Sequence, residues 1–204
     1  ALGFWGWPVK LDEGPMQACR AALAILAAFQ NGNHPDGLLD GFSVGIGIAH
    51  GNALAGQIGT PRQAKVGVFG PIVNQGARLE TMSKQYGVQV CVDEATADFC
   101  RHFLKPEEGR LRKLARVRPK GMHEPITVSQ LLPPEGTDDS PSSEQLAEFE
   151  AAVDAVIAGE WAAALTRLKS LPEDGPRGFL ESRMGEFDNT PPADWDGAFS
   201  LSKK

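Results

Sequence analysis

The chain has 204 residues, 42% of them hydrophobic and 23% charged, which suits one domain of ordinary size with an appendage. Its richest apolar run, Ala21 to Phe29, falls short of the roughly 18 residues that a membrane span needs. The net charge of −6 is uneven, with 14 basic and 11 acidic side chains in residues 1–134 but 6 and 15 in residues 135–204. The first part therefore suits a polyphosphate ligand but is too weakly basic for a nucleic-acid groove.

In chain order, Leu2 to Trp7 reads as a short strand ended by Pro8. An apolar strand at the very start, with Ala1 rather than Met in front of it and no basic cluster leading an apolar stretch, predicts a fragment of a longer protein without a signal peptide. Gly14-Pro15 leads into a helix over Met16 to Gln30, and residues 31–37 form a loop by composition. Phe42 to Ala49 alternates apolar residues with glycine and serine, a strand pattern. His50-Gly51 breaks it, and Ala53 to Ile58 is expected to return as the second strand of a hairpin. Thr60-Pro61-Arg62 is a turn, and Lys65 to Phe69 another strand.

Pro71 to Tyr86 reads as a helix, with Pro71 at its first position and Gly87 as its stop. A strand over Val88 to Val92 and a helix over Asp93 to Phe103, capped by Asp93 or Thr96, come next. Leu111 to Arg118 and Ile126 to Leu132 form two strands joined across Lys120-Gly121-Met122-His123. Residues 133–143 are rich in Pro, Ser, Asp and Gly and read as a linker. Two helical patterns follow, Glu144 to Ala158 and Trp161 to Ser170, like one tetratricopeptide pair. A single pair is too short for a solenoid and should pack on a neighbour. Mixed helices and strands without regular alternation predict an α+β fold.

The cysteines, Cys19, Cys91 and Cys100, form no CxxC pair and read as buried core residues of a reducing compartment. The histidines, His34, His50, His102 and His123, lack metal-ligand spacing. No Walker A sequence, dinucleotide fingerprint or hydrolase triad is present. The informative stretch is Gly70 to Glu80. Asn74 and Arg78 lie four apart on one face of the predicted helix. An amide and a guanidinium aimed at one point suit a place where negative charge develops. Taken alone, such a pair is ordinary helix surface.

The surroundings change that weight. Gly45-Ile46-Gly47-Ile48-Ala49-His50-Gly51, Ala55-Gly56-Gln57-Ile58-Gly59, Arg62, Val66 to Phe69, and Gly70-x-x-Val73-Asn74-x-x-Ala77-Arg78-Leu79-Glu80 follow one another. In order and spacing they resemble the class III adenylate/guanylate cyclase catalytic domain. Phe4-Trp5-Gly6-Trp7-Pro8 resembles the strand after that family's Gly-Asp hairpin, and Lys120-Gly121 also fits. The resemblance implies a ferredoxin-like nucleotidyl cyclase fold over residues 1–132, lacking its first strand and metal-binding hairpin. A linker at 133–143 and a helical tail at 144–204 would follow.

It further implies a head-to-tail homodimer in the cytoplasm that converts ATP or GTP to a cyclic nucleotide and pyrophosphate, with cAMP favoured over cGMP. Two Mg2+ or Mn2+ ions would serve it, held by two aspartates that belong upstream of Ala1, so that this chain alone would be inactive. Asn74 would orient the ribose, Arg78 would stabilise charge on the phosphates, and Lys120 would contact the terminal phosphates. Gly67 and Phe69 would lie at the substrate. Gly67 falls on the base-selecting position, where the family carries a polar side chain; Lys65, two residues away on the same face, could compensate. Pro71 replaces a usual Asp that is not a metal ligand.

The alternative is a degenerate, cyclase-like module that binds nucleotide or dimerises without turnover. The tail segment Pro191 to Phe199 resembles the end of certain bacterial cyclases. In those relatives a sensor and membrane spans often precede the catalytic domain. Trp195 and Phe199 are expected to anchor the tail on the domain surface.

Overall fold

The structure is a computed structural model that describes residues 1–32, 37, 39, 41–60, 63–137 and 140–201. Its helices are α1 (Gly14–Gly32), α2 (Pro71–Tyr86), α3 (Glu94–Phe103), α4 (Ser143–Ala158), α5 (Trp161–Lys169) and α6 (Gly175–Gly185). Its strands are β1 (Ile46–Ile48), β2 (Leu54–Thr60), β3 (Gln63–Phe69), β4 (Val90–Asp93), β5 (Arg110–Pro119), β6 (Ile126–Leu132) and β7 (Phe199–Leu201). Five strands make the main sheet in the order β1-β4-β6-β5-β7, and β2 and β3 pair separately. Helices and mixed pairing directions around one sheet give the expected α+β architecture.

Side chains that alternate along a strand point to opposite faces, and both faces of the sheet are covered. Val90 and Val92 face the layer of α1 and α3, where Met16, Cys19, Ala22, Leu26, Ile48 and Cys100 are buried. Cys19 and Cys100 bring their Sγ atoms to 3.4 Å there. Cys91 faces the other layer, and burial pushes its thiol up to about 12. That second layer holds Leu79, Met82 and Tyr86 of α2, with Phe149, Trp161, Leu168, Phe179 and Leu180 from α4, α5 and α6. Fully burying each such apolar side chain contributes about 1.5–3 kcal/mol.

Local chemistry explains the helix ends. Pro71 occupies the first turn of α2, and Gly87 closes it at φ 65° with its N–H on the Lys84 carbonyl. Asp93 caps α3 by accepting from the Thr96 amide. Ser142 and Gln145 form a reciprocal capping box on α4.

Three features differ from the sequence reading. Leu2 to Trp7 forms no strand, since no neighbouring strand among the described residues satisfies its ladder groups. The strand expected over Phe42 to Ala49 is confined to Ile46–Ile48, the length over which β4 pairs with it in parallel. The expected β1–β2 hairpin does not form, because β2 pairs antiparallel with β3, Leu54 opposite Phe69 through Thr60 opposite Gln63. Pro61 and Arg62 of the predicted turn lie outside the described residues, as does His34 of the predicted loop.

The tail also holds more than two helices. The expected pair packs on a neighbour, namely β5; α6 and β7 follow it, with α6 against α2 and β7 beside β5. Gly175, Gly178 and Gly185 weaken α6 as a sequence pattern. Packing of Phe179 against Tyr86, ring centroids 4.4 Å apart, overrides that weakness. Arg112, buried in β5, reaches Asp174 at the start of α6 and lies over the Phe149 ring at 3.6 Å. No helix among the described residues is long and apolar enough to cross a membrane.

Candidate functional site

Two glycines decide where α2 lies. A Cβ on Gly47 would stand 2.1 Å from the Gly76 carbonyl oxygen and 2.4 Å from the Glu80 nitrogen. A Cβ on Gly45 would stand 2.8 Å from the Ser83 Oγ. Helix and strand therefore meet nearly backbone to backbone, which only glycine permits. This contact fixes the rotation of α2. Gly76, Leu79 and Ser83 face the sheet, and Asn74 and Arg78 face away, both exposed.

Neither the Asn74 nor the Arg78 side chain has a hydrogen bond or ion pair among the described residues. The β5–β6 connection comes up beside them. Its turn is closed by the Met122 N–H donating to the Pro119 carbonyl at 3.0 Å, with Gly121 at φ 79°. A Cβ on Gly121 would lie 4.0 Å from the Arg78 Nη2. The exposed Lys120 is the neighbour of Gly121 in this turn and also lacks an ion pair among the described residues. Arg78 and Lys120 thus flank one turn, exposed and without an ion pair among the described residues, an arrangement that favours an anionic ligand.

The structure places Gly67 and Phe69 elsewhere, on the β2–β3 ribbon that leads through Gly70 into α2. Gly67 pairs with Gly56. A Cβ on Gly67 would meet the Phe69 ring at 2.9 Å and the Ile58 Cδ1 at 3.2 Å. A side chain at this position would have to displace the phenyl ring. Lys65 shares the face, opposite Ile58. Leu54, Ile58, Val66 and Phe69 are all exposed on the ribbon.

A cleft of different character lies against the other flank of α2. It is lined by His50, Ile72, Gln75, Asp93, Glu94 and Asp98, and by neither Asn74 nor Arg78. At its floor the buried Asp93 accepts from the His50 amide at 3.2 Å, the Gln75 Nε2 at 2.9 Å and the Thr96 amide at 2.9 Å. A carboxylate so fully hydrogen-bonded is a structural brace between β4, α3 and α2. The sequence reading identified Asp93 as a cap but not its link to Gln75, which depends on packing between separate elements. Among the described residues no group of three or more His, Cys, Asp or Glu is arranged to hold a metal ion.

Comparison with known proteins gives the family. The model of the adenylate and guanylate cyclase catalytic domain family matches residues 6–128. The chain is 30% identical over 134 residues to adenylate cyclase 1 of Rhizobium meliloti, covering 64% of this chain and 19% of that protein. It is 33% identical over 90 residues to an adenylate cyclase of Anabaena cylindrica, covering 44% of this chain and 17% of that one. It thus spans about a fifth of the length of these relatives. Among solved structures, a bacterial light-regulated adenylyl cyclase superposes with a TM-score of 0.47 at 22% identity, over 60% of this chain and 59% of that one. The adenylyl cyclase CyaB from P. aeruginosa gives 0.44 at 16% identity, over 63% and 64%. With the family match extending over more than half its length, the chain belongs to the class III adenylate and guanylate cyclase catalytic-domain family.

Proposed function

We propose that this chain carries the larger part of the catalytic domain of a nucleotidyl cyclase that forms a cyclic nucleotide and pyrophosphate from ATP or GTP, with cAMP favoured over cGMP. In that reaction the ribose 3′-oxygen loses its proton and attacks the α-phosphorus, and pyrophosphate leaves. Arg78 stabilises the charge that builds on the phosphate oxygens, Asn74 holds the ribose, and Lys120 meets the terminal phosphates. The observation that carries this reading is the juxtaposition of Arg78 with the Lys120–Gly121 turn, two cations without an ion pair among the described residues. Both are exposed and neither lines the cleft at Asp93, which fits a site completed by a second protomer in a head-to-tail homodimer. The exposed apolar residues of the β2–β3 ribbon supply a surface for that contact.

Two divalent cations, Mg2+ or Mn2+, would neutralise the triphosphate when bound. Among the described residues no group of three or more carboxylate, imidazole or thiol ligands is gathered; we propose that carboxylates preceding Ala1 would hold the ions, and that this chain alone would be inactive. We place the reaction in the cytoplasm, with any membrane attachment of the parent protein supplied by an N-terminal region. Gly67 favours a second reading, a degenerate module that binds nucleotide without turnover, because it offers no side chain to a base edge. The experiment that decides is an assay of the full-length parent with ATP and with GTP, beside Arg78→Ala. Turnover that falls about a hundredfold or more in the variant is expected. A wild-type parent that turns over neither nucleotide would establish the degenerate module, and an unchanged rate in Arg78→Ala would remove that residue from the mechanism.

A further inference from the structure

The turn that carries Lys120 is held from both sides, and one side belongs to the last described residues of the chain. Across the turn, the Arg118 Nε donates to the His123 carbonyl at 3.0 Å. The other arm of Arg118 forms an ion pair with Asp196. Arg116 donates to the Asp196 carbonyl at 3.4 Å. Immediately after Asp196, β7 adds to the sheet in parallel with β5, Val117 opposite Phe199 and Pro119 opposite Leu201. The added strand therefore ends level with the residue before Lys120.

Asp196 is itself held in place. The Trp195 indole N–H donates to the Val156 carbonyl at 3.0 Å, at the end of α4. Phe199 is buried against Trp161 and Trp195. Gly197 turns at φ 85°, where a Cβ would stand 3.1 Å from Ile157. The aromatic anchors thus fix the depth and angle at which Asp196 meets Arg118. Pairing with Arg118 holds the Asp196 carboxyl below its usual range.

We propose that Asp196 is a positioning residue for the nucleotide site: through Arg118 it sets the Lys120–Gly121 turn at the place where the terminal phosphates bind. The inference rests on the cyclase reading given above. It assigns the acidic tail a role at the substrate through one carboxylate, although the tail's net charge would otherwise repel a triphosphate. Arg118 is consumed by this bracket, which leaves Lys120 as the cation that the turn offers to the ligand.

The test uses the full-length parent and compares Asp196→Asn, Asp196→Glu, Lys120→Ala and Arg78→Ala. Asp196→Asn is expected to raise KM for the nucleoside triphosphate about fivefold while kcat stays within about twofold, and Asp196→Glu to restore most of the loss. In a Lys120→Ala background the same Asp196→Asn change should add less than about twofold, because it acts through that lysine. A KM unchanged in Asp196→Asn, while Arg78→Ala still loses turnover, overturns the positioning role and leaves the cyclase reading intact. An equal effect of Asp196→Asn with and without Lys120 also overturns it, since that is how a general loss of stability behaves. A wild-type parent without turnover, or an Arg78→Ala variant with full turnover, defeats the cyclase reading and this inference with it.

Discussion

The β2–β3 ribbon and the helical C-terminal tail both carry large apolar side chains, yet these end in opposite environments. In the tail, Trp161 is 1% and Phe199 3% exposed, whereas on the ribbon Phe69 is 55% and Leu54 79% exposed. The difference lies in what each segment finds within its own chain. The tail meets the open flank of β5 and the side of α2, and it completes a core that neither could close alone. Among the described residues the strands of the ribbon pair only with each other, and its apolar side chains stay exposed. Helix α2 joins the two regions, continuing from β3 through Gly70 and ending against α6 through Tyr86 and Phe179. Asn74 and Arg78 sit on the span between the buried region and the exposed one.

Several variants would break or sharpen that contrast. The largest effect is expected from Trp161→Ala, which empties the centre of the tail core. Loss of a fully buried indole costs about 3–5 kcal/mol, and chemical denaturation should show a matching fall in midpoint. A loss below about 1 kcal/mol would mean that the tail is not an integral part of the core. Arg78→Ala should leave that midpoint within about 0.5 kcal/mol of wild type, because its side chain touches solvent. Turnover of the parent in the same variant should fall about a hundredfold, equivalent to about 2.7 kcal/mol of transition-state stabilisation.

Leu54→Ser tests the ribbon. Exposed in the single chain, Leu54 should tolerate the change with little loss of stability, and the dimer should weaken about tenfold in sedimentation equilibrium if the residue is covered there. A dimer of unchanged affinity would place the contact elsewhere. The smallest effect concerns Glu108, whose carboxyl is held below its usual range chiefly by the hydrogen bond from Arg20. A group with a lowered folded pKa stabilises the fold above its unfolded pKa and loses that contribution as pH falls through the folded value. The thermal midpoints of wild type and Glu108→Gln should therefore differ near neutrality and converge in acid. A gap that persists at low pH would assign the effect to packing.

Much of the framework could be read directly from residues. The Pro71 start and Gly87 stop of α2, the Asp93 cap and the alternation of Val90, Cys91 and Val92 each depend on neighbours a few positions away. The ordered glycine motifs pointed to the cyclase family for the same reason, and their physical meaning emerged as the contact between Gly47 and Gly76. Pairing partners were not legible in this way. Periodicity marks Ala53 to Ile58 as a strand but does not say whether its ladder groups meet the strand before it or after it, and they meet β3. The three residues of β7 carry no pattern of their own and become a strand only beside Val117, some 80 positions earlier. The bracket from Asp196 to Arg118 was hidden for the same reason.

The sulfur pair between α1 and α3 makes the chain its own reporter. Cys19 and Cys100 are wholly shielded, and the Cys19 S–H is held back from ionisation by its bond to Cys100. Alkylating reagents can reach these sulfurs only when the two helices part. The pace of their labelling, followed by mass spectrometry, would time the opening of that layer without any introduced dye, and comparison with native unfolding would tell whether it breathes separately from the tryptophan-rich side.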